Sequence, residues 1–192
     1  MTQVSERRVS AWNVANAVTV LRIALVPIFC WLLFTSAEPG DTSLRYVAFG
    51  VFVFAALTDK FDGELARRRG LVTDFGKVAD PLADKALVGA ALVGLSLLGE
   101  LAWWITALVL VREFGITVLR FWVIRYGVIS ASPGGKAKTL LQTVAISLYL
   151  LPLEGLPRLL AELTMGFAVA LTVITGLDYV IRALRLRQSG RS

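Results

Sequence analysis

Apolar stretches long enough to cross a lipid bilayer recur along the whole chain. Six of them can be read, at approximately 16–36, 44–58, 78–99, 101–124, 139–153 and 159–181. A helix of about 20 apolar residues crosses the roughly 30 Å hydrocarbon core, and a soluble domain of 192 residues could not cover a content of 56% hydrophobic residues. The sequence therefore predicts an all-α, polytopic bundle of six transmembrane helices. It forms one domain over 1–192, with a cytoplasmic N-terminal segment at 1–14 and a basic C-terminal tail at 183–192.

Lysine and arginine are distributed unevenly between the two sides of such a bundle. The two termini and the loops 59–77 and 125–138 share one side and hold most of these residues, whereas the other side carries only Arg45 and Arg158. Cytoplasmic loops are enriched in Lys and Arg, which predicts cytoplasmic termini in a multi-pass protein of the plasma membrane. The net charge of +6 then reflects loops beside anionic lipid, and we expect no nucleic-acid partner.

The residue types that are absent limit the chemistry. The chain has no histidine, and its single cysteine, Cys30, lies within an apolar run. Imidazole bases, a disulfide framework and thiolate metal clusters are therefore excluded. A bound metal would need oxygen ligands, which favour hard cations such as Mg²⁺ or Mn²⁺.

Four aspartates flank a short basic turn at 67–76. Asp59 and Asp62 are spaced i, i+3, and Asp80 and Asp84 are spaced i, i+4, so each pair shares one helix face. The second apolar segment is short and runs directly into the first pair, which predicts that its helix continues and that the two helices are antiparallel neighbours. Four converging carboxylates would repel one another. Two divalent cations would neutralise them and form a clamp suited to displacement at phosphorus. The alternative is that the aspartates are unrelated interfacial charges, each paired with a nearby basic residue.

The stretch from Asp59 to Asp84 meets the pattern D-x2-D-G-x2-A-R-x8-G-x3-D-x3-D without departure. This pattern resembles the signature of the CDP-alcohol phosphatidyltransferases, which are membrane enzymes with six transmembrane helices. Near the N-terminus, the stretch from Asn16 to Arg22 is similar to the family's N-x2-T-x2-R, with Ala15 where a proline often stands. The resemblance extends over nearly the whole chain.

The resemblance implies a cytoplasm-facing active site that binds two metal ions and a CDP-linked lipid. It implies that the metal ligands are Asp59, Asp62, Asp80 and Asp84, and that Asp84 also acts as general base on the acceptor hydroxyl. It also implies that CDP-diacylglycerol is bound by six residues, which are Asn16, Thr19, Gly63, Ala66, Arg67 and Thr73. The spacing of Gly63 and Ala66 alone more often indicates close helix packing. Asn16 and Thr19 would also suit an N-cap and an ordinary polar position of the first helix.

Basic residues on the later helices bear on the acceptor alcohol. Arg112 and Glu113 interrupt the apolar fourth segment, Arg120 follows eight residues later, and Lys136 and Lys138 stand at the entrance to the fifth segment. A buried arginine is costly unless it is paired, so Arg112 could pair with Glu113 or an aspartate for structure alone. The other interpretation is that the four basic residues bind the phosphate of a phosphorylated alcohol.

These later residues resemble a bacterial subgroup of the family whose acceptor is sn-glycerol 3-phosphate. The resemblance implies transfer of the phosphatidyl group of CDP-diacylglycerol to that acceptor, giving phosphatidylglycerol phosphate and CMP. Membrane lipid is then a partner as well, and a homodimer is expected because many relatives form one. The same aspartates would also serve an acceptor such as inositol phosphate, phosphatidylglycerol or serine.

Two other classes of protein remain as alternatives. A cation transporter also uses intramembrane carboxylates, but it would place them near the bilayer midplane rather than at a basic edge. A purely structural scaffold would account for neither the four aspartates nor the arginines.

Overall fold

A computed structural model of the chain describes residues 14–36, 42–69, 74–123 and 133–189, without the side chains of 14–16, 59–81, 133 and 188–189. Within these ranges the chain forms six α-helices and no strand. The helices are α1 (Val14–Thr35), α2 (Ser43–Arg69), α3 (Asp74–Leu97), α4 (Trp103–Val123), α5 (Pro133–Leu150) and α6 (Gly155–Ser189). The prediction of an all-α fold is confirmed.

α2 and α6 extend furthest beyond their apolar segments. α2 continues through the first pair of aspartates to Arg69, as predicted, because the residues after Gly63 are strong helix formers. α3 begins at Asp74, so the connection between the two helices is shorter than the turn expected at 67–76. α6 extends to Ser189, so most of the basic segment 183–192 is helical.

The buried core takes side chains from all six helices. α1 contacts both α2 and α3, while α5 packs against α6 and α6 against α4. The rings of Phe29 and Phe52 lie 5.8 Å apart, and both residues are fully buried. A Cβ added at Gly94 of α3 would lie 2.6 Å from Cδ2 of Leu33 in α1. This glycine therefore allows the two helices to approach closely, as small residues do between membrane helices.

Large apolar side chains also cover the outside of the bundle. Trp31 is 63% exposed, Phe121 71% and Phe167 67%, and patches of this extent are typical of surfaces that contact another apolar phase. By length and composition, α1 over Ala17–Thr35 and α6 over Gly155–Arg187 could each cross a membrane. Thus two of the described helices meet this criterion, and the predicted number of six spans stays a prediction.

A polar cluster joins the helix ends at one end of the bundle. Arg45, at the start of α2, forms an ion pair with Glu100, which follows α3. The Arg45 Nε donates a hydrogen bond to the Leu150 carbonyl of α5 (2.9 Å), and Arg158 of α6 donates to the Glu100 carbonyl (3.0 Å). The start of α2 therefore lies beside the end of α3, so the two helices are antiparallel.

Candidate active site

The four motif aspartates lie on helices that meet at the other end of the bundle. Asp59 and Asp62 belong to the second half of α2, and Asp80 and Asp84 to the first half of α3. α2 and α3 contact each other and run antiparallel, which is the arrangement the sequence predicted. The side chains of Asp59, Asp62 and Asp80 lie outside the described residues, so the convergence of the four carboxylates stays a prediction.

Asp84 lines a small cavity between α3, α4 and α5. The cavity has room for about 20 Å³, which is the space of about one water molecule. Asp84 is half-buried and lies close enough to Lys138 for the two charges to interact. The cavity is also lined by Lys85, Val88, Glu113, Lys138, Gln142 and Thr143. The aspartate and one of the basic residues that the sequence singled out are therefore brought together in one place.

Glu113 connects two of the predicted phosphate-binding residues. Its Oε1 accepts a hydrogen bond from Arg112 Nη1 at 2.9 Å and forms an ion pair with Lys138 Nζ. Arg112 Nη2 also donates to Thr175 Oγ1 of α6 at 3.1 Å. We call Arg112, Glu113 and Lys138 the α4–α5 charge cluster. Because it holds two cations and one carboxylate, the cluster has a surplus positive charge.

One N–H group of the Arg112 guanidinium has no partner within the described part of the chain. Lys138 is only 3% exposed, and the unpartnered group, the Arg112 Nε, is buried. A Cβ at Gly176 would lie 3.3 Å from the Arg112 Cγ, so the absence of a side chain there allows Arg112 to lie against α6. The expected Arg112–Glu113 pair is therefore present, and the guanidinium still has an N–H group available for a phosphate oxygen.

The structure places the other two predicted phosphate-binding residues elsewhere. Arg120 is exposed, two turns beyond Arg112 in α4, and its Nε lies 3.5 Å from the Tyr179 hydroxyl. Lys136 is exposed, and it stands two positions from Lys138, which places it on another face of α5. Neither joins the α4–α5 charge cluster, so their binding of phosphate stays a prediction.

Among the residues assigned to the nucleotide, Thr19 is the one whose side chain is described. It is 2% exposed in the first turns of α1, the helix that contacts both aspartate-bearing helices. The predicted residues whose side chains lie outside the described set are Asn16, Gly63, Ala66, Arg67 and Thr73.

The donor atoms available for a metal are carboxylate oxygens. The chain has no histidine, and within the described side chains no three Asp, Glu or Cys residues gather to form a metal site. Three of the four motif aspartates are not among those side chains. An all-oxygen set on two neighbouring helices fits a hard divalent cation.

Three residues that contribute to this region had no role assigned from the sequence. Thr175 and Gly176 reach Arg112 from α6, and no local pattern predicts a contact between residues so far apart in the chain. Gln142 follows Lys138 by four residues, so the two share a face of α5. That spacing is a signal that could have identified it.

Comparison with known proteins places these residues in a family. Residues 12–174 match the family model described as CDP-alcohol phosphatidyltransferase. The chain is 54% identical over 173 residues to a Mycobacterium tuberculosis protein named probable phosphatidylglycerophosphate synthase, covering 90% of this chain and 82% of the relative. It is 38% identical over 180 residues to a Bacillus subtilis protein named CDP-diacylglycerol–glycerol-3-phosphate 3-phosphatidyltransferase, with coverage of 88% and 93%. A Pectobacterium atrosepticum protein of the same name is 35% identical over 177 residues, again with coverage of 88% and 93%.

Proposed function

The chain belongs to the CDP-alcohol phosphatidyltransferase family, and from that membership we propose that it transfers the phosphatidyl group of CDP-diacylglycerol to sn-glycerol 3-phosphate. The products are phosphatidylglycerol phosphate and CMP. The family is membrane-integral and generally dependent on divalent metal. The observation that carries the proposal within this chain is that Asp84 and Lys138 line the same cavity.

The α4–α5 charge cluster is the proposed site for the acceptor phosphate. A phosphate dianion matches the two cations Arg112 and Lys138, which share Glu113 when no acceptor is bound. The acceptor phosphate would take over from Glu113 as the partner of Lys138, with Arg112 offering its Nε and Nη groups bidentately. Arg120 and Lys136 would add positive charge at the entrance.

Asp84 is the proposed general base. Its position in the same cavity as Lys138 suits an acceptor whose phosphate lies on C3 and whose reacting hydroxyl lies on C1. Asp84 would take the proton of the C1 hydroxyl while the oxygen of that hydroxyl attacks the β-phosphorus of CDP-diacylglycerol. The bond from this phosphorus to the oxygen that bridges the two phosphates breaks, and CMP leaves with the bonding electrons. Positioned proton transfer of this kind contributes about 10²- to 10⁴-fold in rate.

Asp59, Asp62, Asp80 and Asp84 would hold two divalent ions, either Mg²⁺ or Mn²⁺. Bound there, the ions would neutralise the diphosphate and stabilise the charge that develops on the leaving group. The chain itself supplies the antiparallel pair α2 and α3, on which the four aspartates lie.

The nucleotide would lie between α1 and these two helices. Asn16 and Thr19 would reach it from α1, Gly63, Ala66 and Arg67 from α2, and Thr73 from the connection. We place this site at the cytoplasmic face of a multi-pass plasma-membrane protein, with the acyl chains of the substrate in the bilayer. The exposed apolar faces of the helices support lipid contact, and we propose a homodimer by analogy with relatives.

An acceptor panel tests the proposal. Purified protein would receive CDP-diacylglycerol with Mg²⁺ or Mn²⁺, and CMP release would be followed with glycerol 3-phosphate, inositol phosphate, serine and phosphatidylglycerol offered separately. We expect CMP to be released with glycerol 3-phosphate and with none of the other three acceptors. If CMP were released with a different acceptor, that acceptor would be the substrate. If none of the four released CMP and the protein carried metal ions across proteoliposome membranes, it would be a transporter.

A further inference from the structure

Gln142 has a buried hydrogen-bond acceptor that the protein leaves unused. It lies on α5, four residues after Lys138, and lines the cavity that contains Asp84. The residue is 5% exposed, and its Oε1 is buried without a hydrogen-bond partner among the described residues. Buried polar atoms in proteins are nearly always paired, so an unpaired acceptor on a cavity wall indicates a ligand that donates a hydrogen bond.

The neighbouring hydroxyl groups do not supply this donor. Thr139 and Thr143 line the same cavity, but both hydroxyls donate to the main chain of α5. The Thr139 Oγ1 donates to the Gly135 carbonyl at 3.1 Å, and the Thr143 Oγ1 to the Thr139 carbonyl at 2.9 Å. Each hydroxyl has one hydrogen to donate, so neither threonine supplies a donor to Gln142, and its Oε1 is available to a molecule that enters the cavity.

We propose that Gln142 is a specificity-determining residue that binds the C2 hydroxyl of the acceptor. This inference rests on the proposed function, in which Asp84 takes the C1 hydroxyl and Lys138 binds the C3 phosphate. The C2 hydroxyl lies between these two groups in glycerol 3-phosphate, and Gln142 is a further wall of the cavity that Asp84 and Lys138 share. A hydroxyl donor complements the amide oxygen of Gln142, which accepts a hydrogen bond and cannot donate one.

The proposal predicts discrimination against an acceptor that lacks the middle hydroxyl. A site built to hydrogen-bond a substrate hydroxyl rejects the analogue without it, because the buried acceptor is then left unpaired. 3-Hydroxypropyl phosphate keeps the reacting hydroxyl and the phosphate and lacks only the C2 hydroxyl. We expect wild-type kcat/KM to be at least about 10-fold higher for glycerol 3-phosphate than for this analogue.

A variant then connects this preference to Gln142. Gln142→Met keeps the length of the side chain and removes the acceptor, so kcat/KM for glycerol 3-phosphate should fall about 10-fold, with less than a 3-fold change for 3-hydroxypropyl phosphate. Gln142→Asn, which withdraws the amide by one methylene, provides a second variant with the same expectation. The matched control is Ser147→Ala on the same helix. Its hydroxyl donates to the Thr143 carbonyl at 2.8 Å, outside the cavity, and its loss should leave the preference unchanged.

The outcomes separate this inference from the proposed function. Equal use of the two acceptors by the wild-type protein, or a parallel loss of both activities in the Gln142 variants, would overturn the role of Gln142 while leaving the reaction intact. Failure of the wild-type protein to release CMP with glycerol 3-phosphate would overturn both. The wild-type comparison requires no variant, so the inference can be tested even if the Gln142 variants do not fold.

Discussion

Replacing Lys138 by methionine should weaken binding of the acceptor and leave the nucleotide-linked substrate unaffected. Lys138 is almost completely buried, and its ammonium group is paired with Glu113 beside Asp84. Methionine has a similar volume, so the packing of α5 should persist. Glu113 keeps its ion pair with Arg112 at 2.9 Å, so the variant does not leave the Glu113 carboxylate without a partner.

The size of the effect follows from the bond that is lost. A hydrogen bond to a charged group contributes about 1.5–3 kcal/mol, and each 1.36 kcal/mol corresponds to a factor of ten. We therefore expect kcat/KM for glycerol 3-phosphate to fall by about 10- to 150-fold, mainly through KM. The KM for CDP-diacylglycerol should change by less than about 3-fold, because its proposed contacts lie on α1, α2 and α3.

Initial rates of CMP release, measured while each substrate is varied in turn, check this prediction. Lys136→Met is the comparison variant, since Lys136 stands on the same helix but is exposed. Its charge is screened by solvent, so we expect an effect of about 3-fold or less. Equal rises in KM for both substrates in Lys138→Met, or equal effects of the two lysine variants, would refute the reasoning.

Three further predictions concern the base and the helix contacts. Asp84→Asn should lower turnover by about 10²- to 10⁴-fold while nucleotide binding persists in a CDP-binding assay, and full activity would remove Asp84 from the role of base. Gly94→Ala should destabilise the fold by about 1–3 kcal/mol, because the added Cβ would lie 2.6 Å from a leucine Cδ2 of α1. The control is Gly50→Ala, where nothing lies within 4 Å; thermal unfolding in detergent should show no loss there, and equal losses would contradict the packing argument. Arg45→Met removes the ion pair with Glu100 and should cost about 2–3 kcal/mol in the same unfolding measurement, without changing kcat/KM of the folded protein. A loss of activity at unchanged stability would contradict this.

The helices could be predicted from the sequence because length and apolar content determine them. The continuation of α2 through Asp59 and Asp62 followed from the shortness of its apolar stretch, and the structure confirms it. The end of α6 at Ser189 was not predicted, because hydropathy marks where lipid contact ends and not where a helix ends. Arginine is a good helix former, so the helix continues through Arg182, Arg185 and Arg187.

The candidate site was predictable in its residue types and less so in its contacts. The pattern around Asp84 and the basic residues near Lys138 were both recognisable, and an Arg112–Glu113 pair was one of the alternatives. The shared use of Glu113 by Lys138, and the cavity that joins them to Asp84, depend on how α3, α4 and α5 pack. Such contacts join residues far apart in the chain, so no local spacing reveals them.

The central claim is that Asp59, Asp62, Asp80 and Asp84 together hold two divalent ions, and a Mn²⁺ titration followed by electron paramagnetic resonance tests it most directly. Purified protein with CDP-diacylglycerol should bind two Mn²⁺ per chain. It should give the spectrum of a spin-coupled pair, because paired metals in such sites lie about 3.5–4 Å apart. Asp80→Asn should abolish the coupling. A single uncoupled ion in the wild-type protein, or an unchanged spectrum when all four aspartates are replaced by asparagine, would contradict the account.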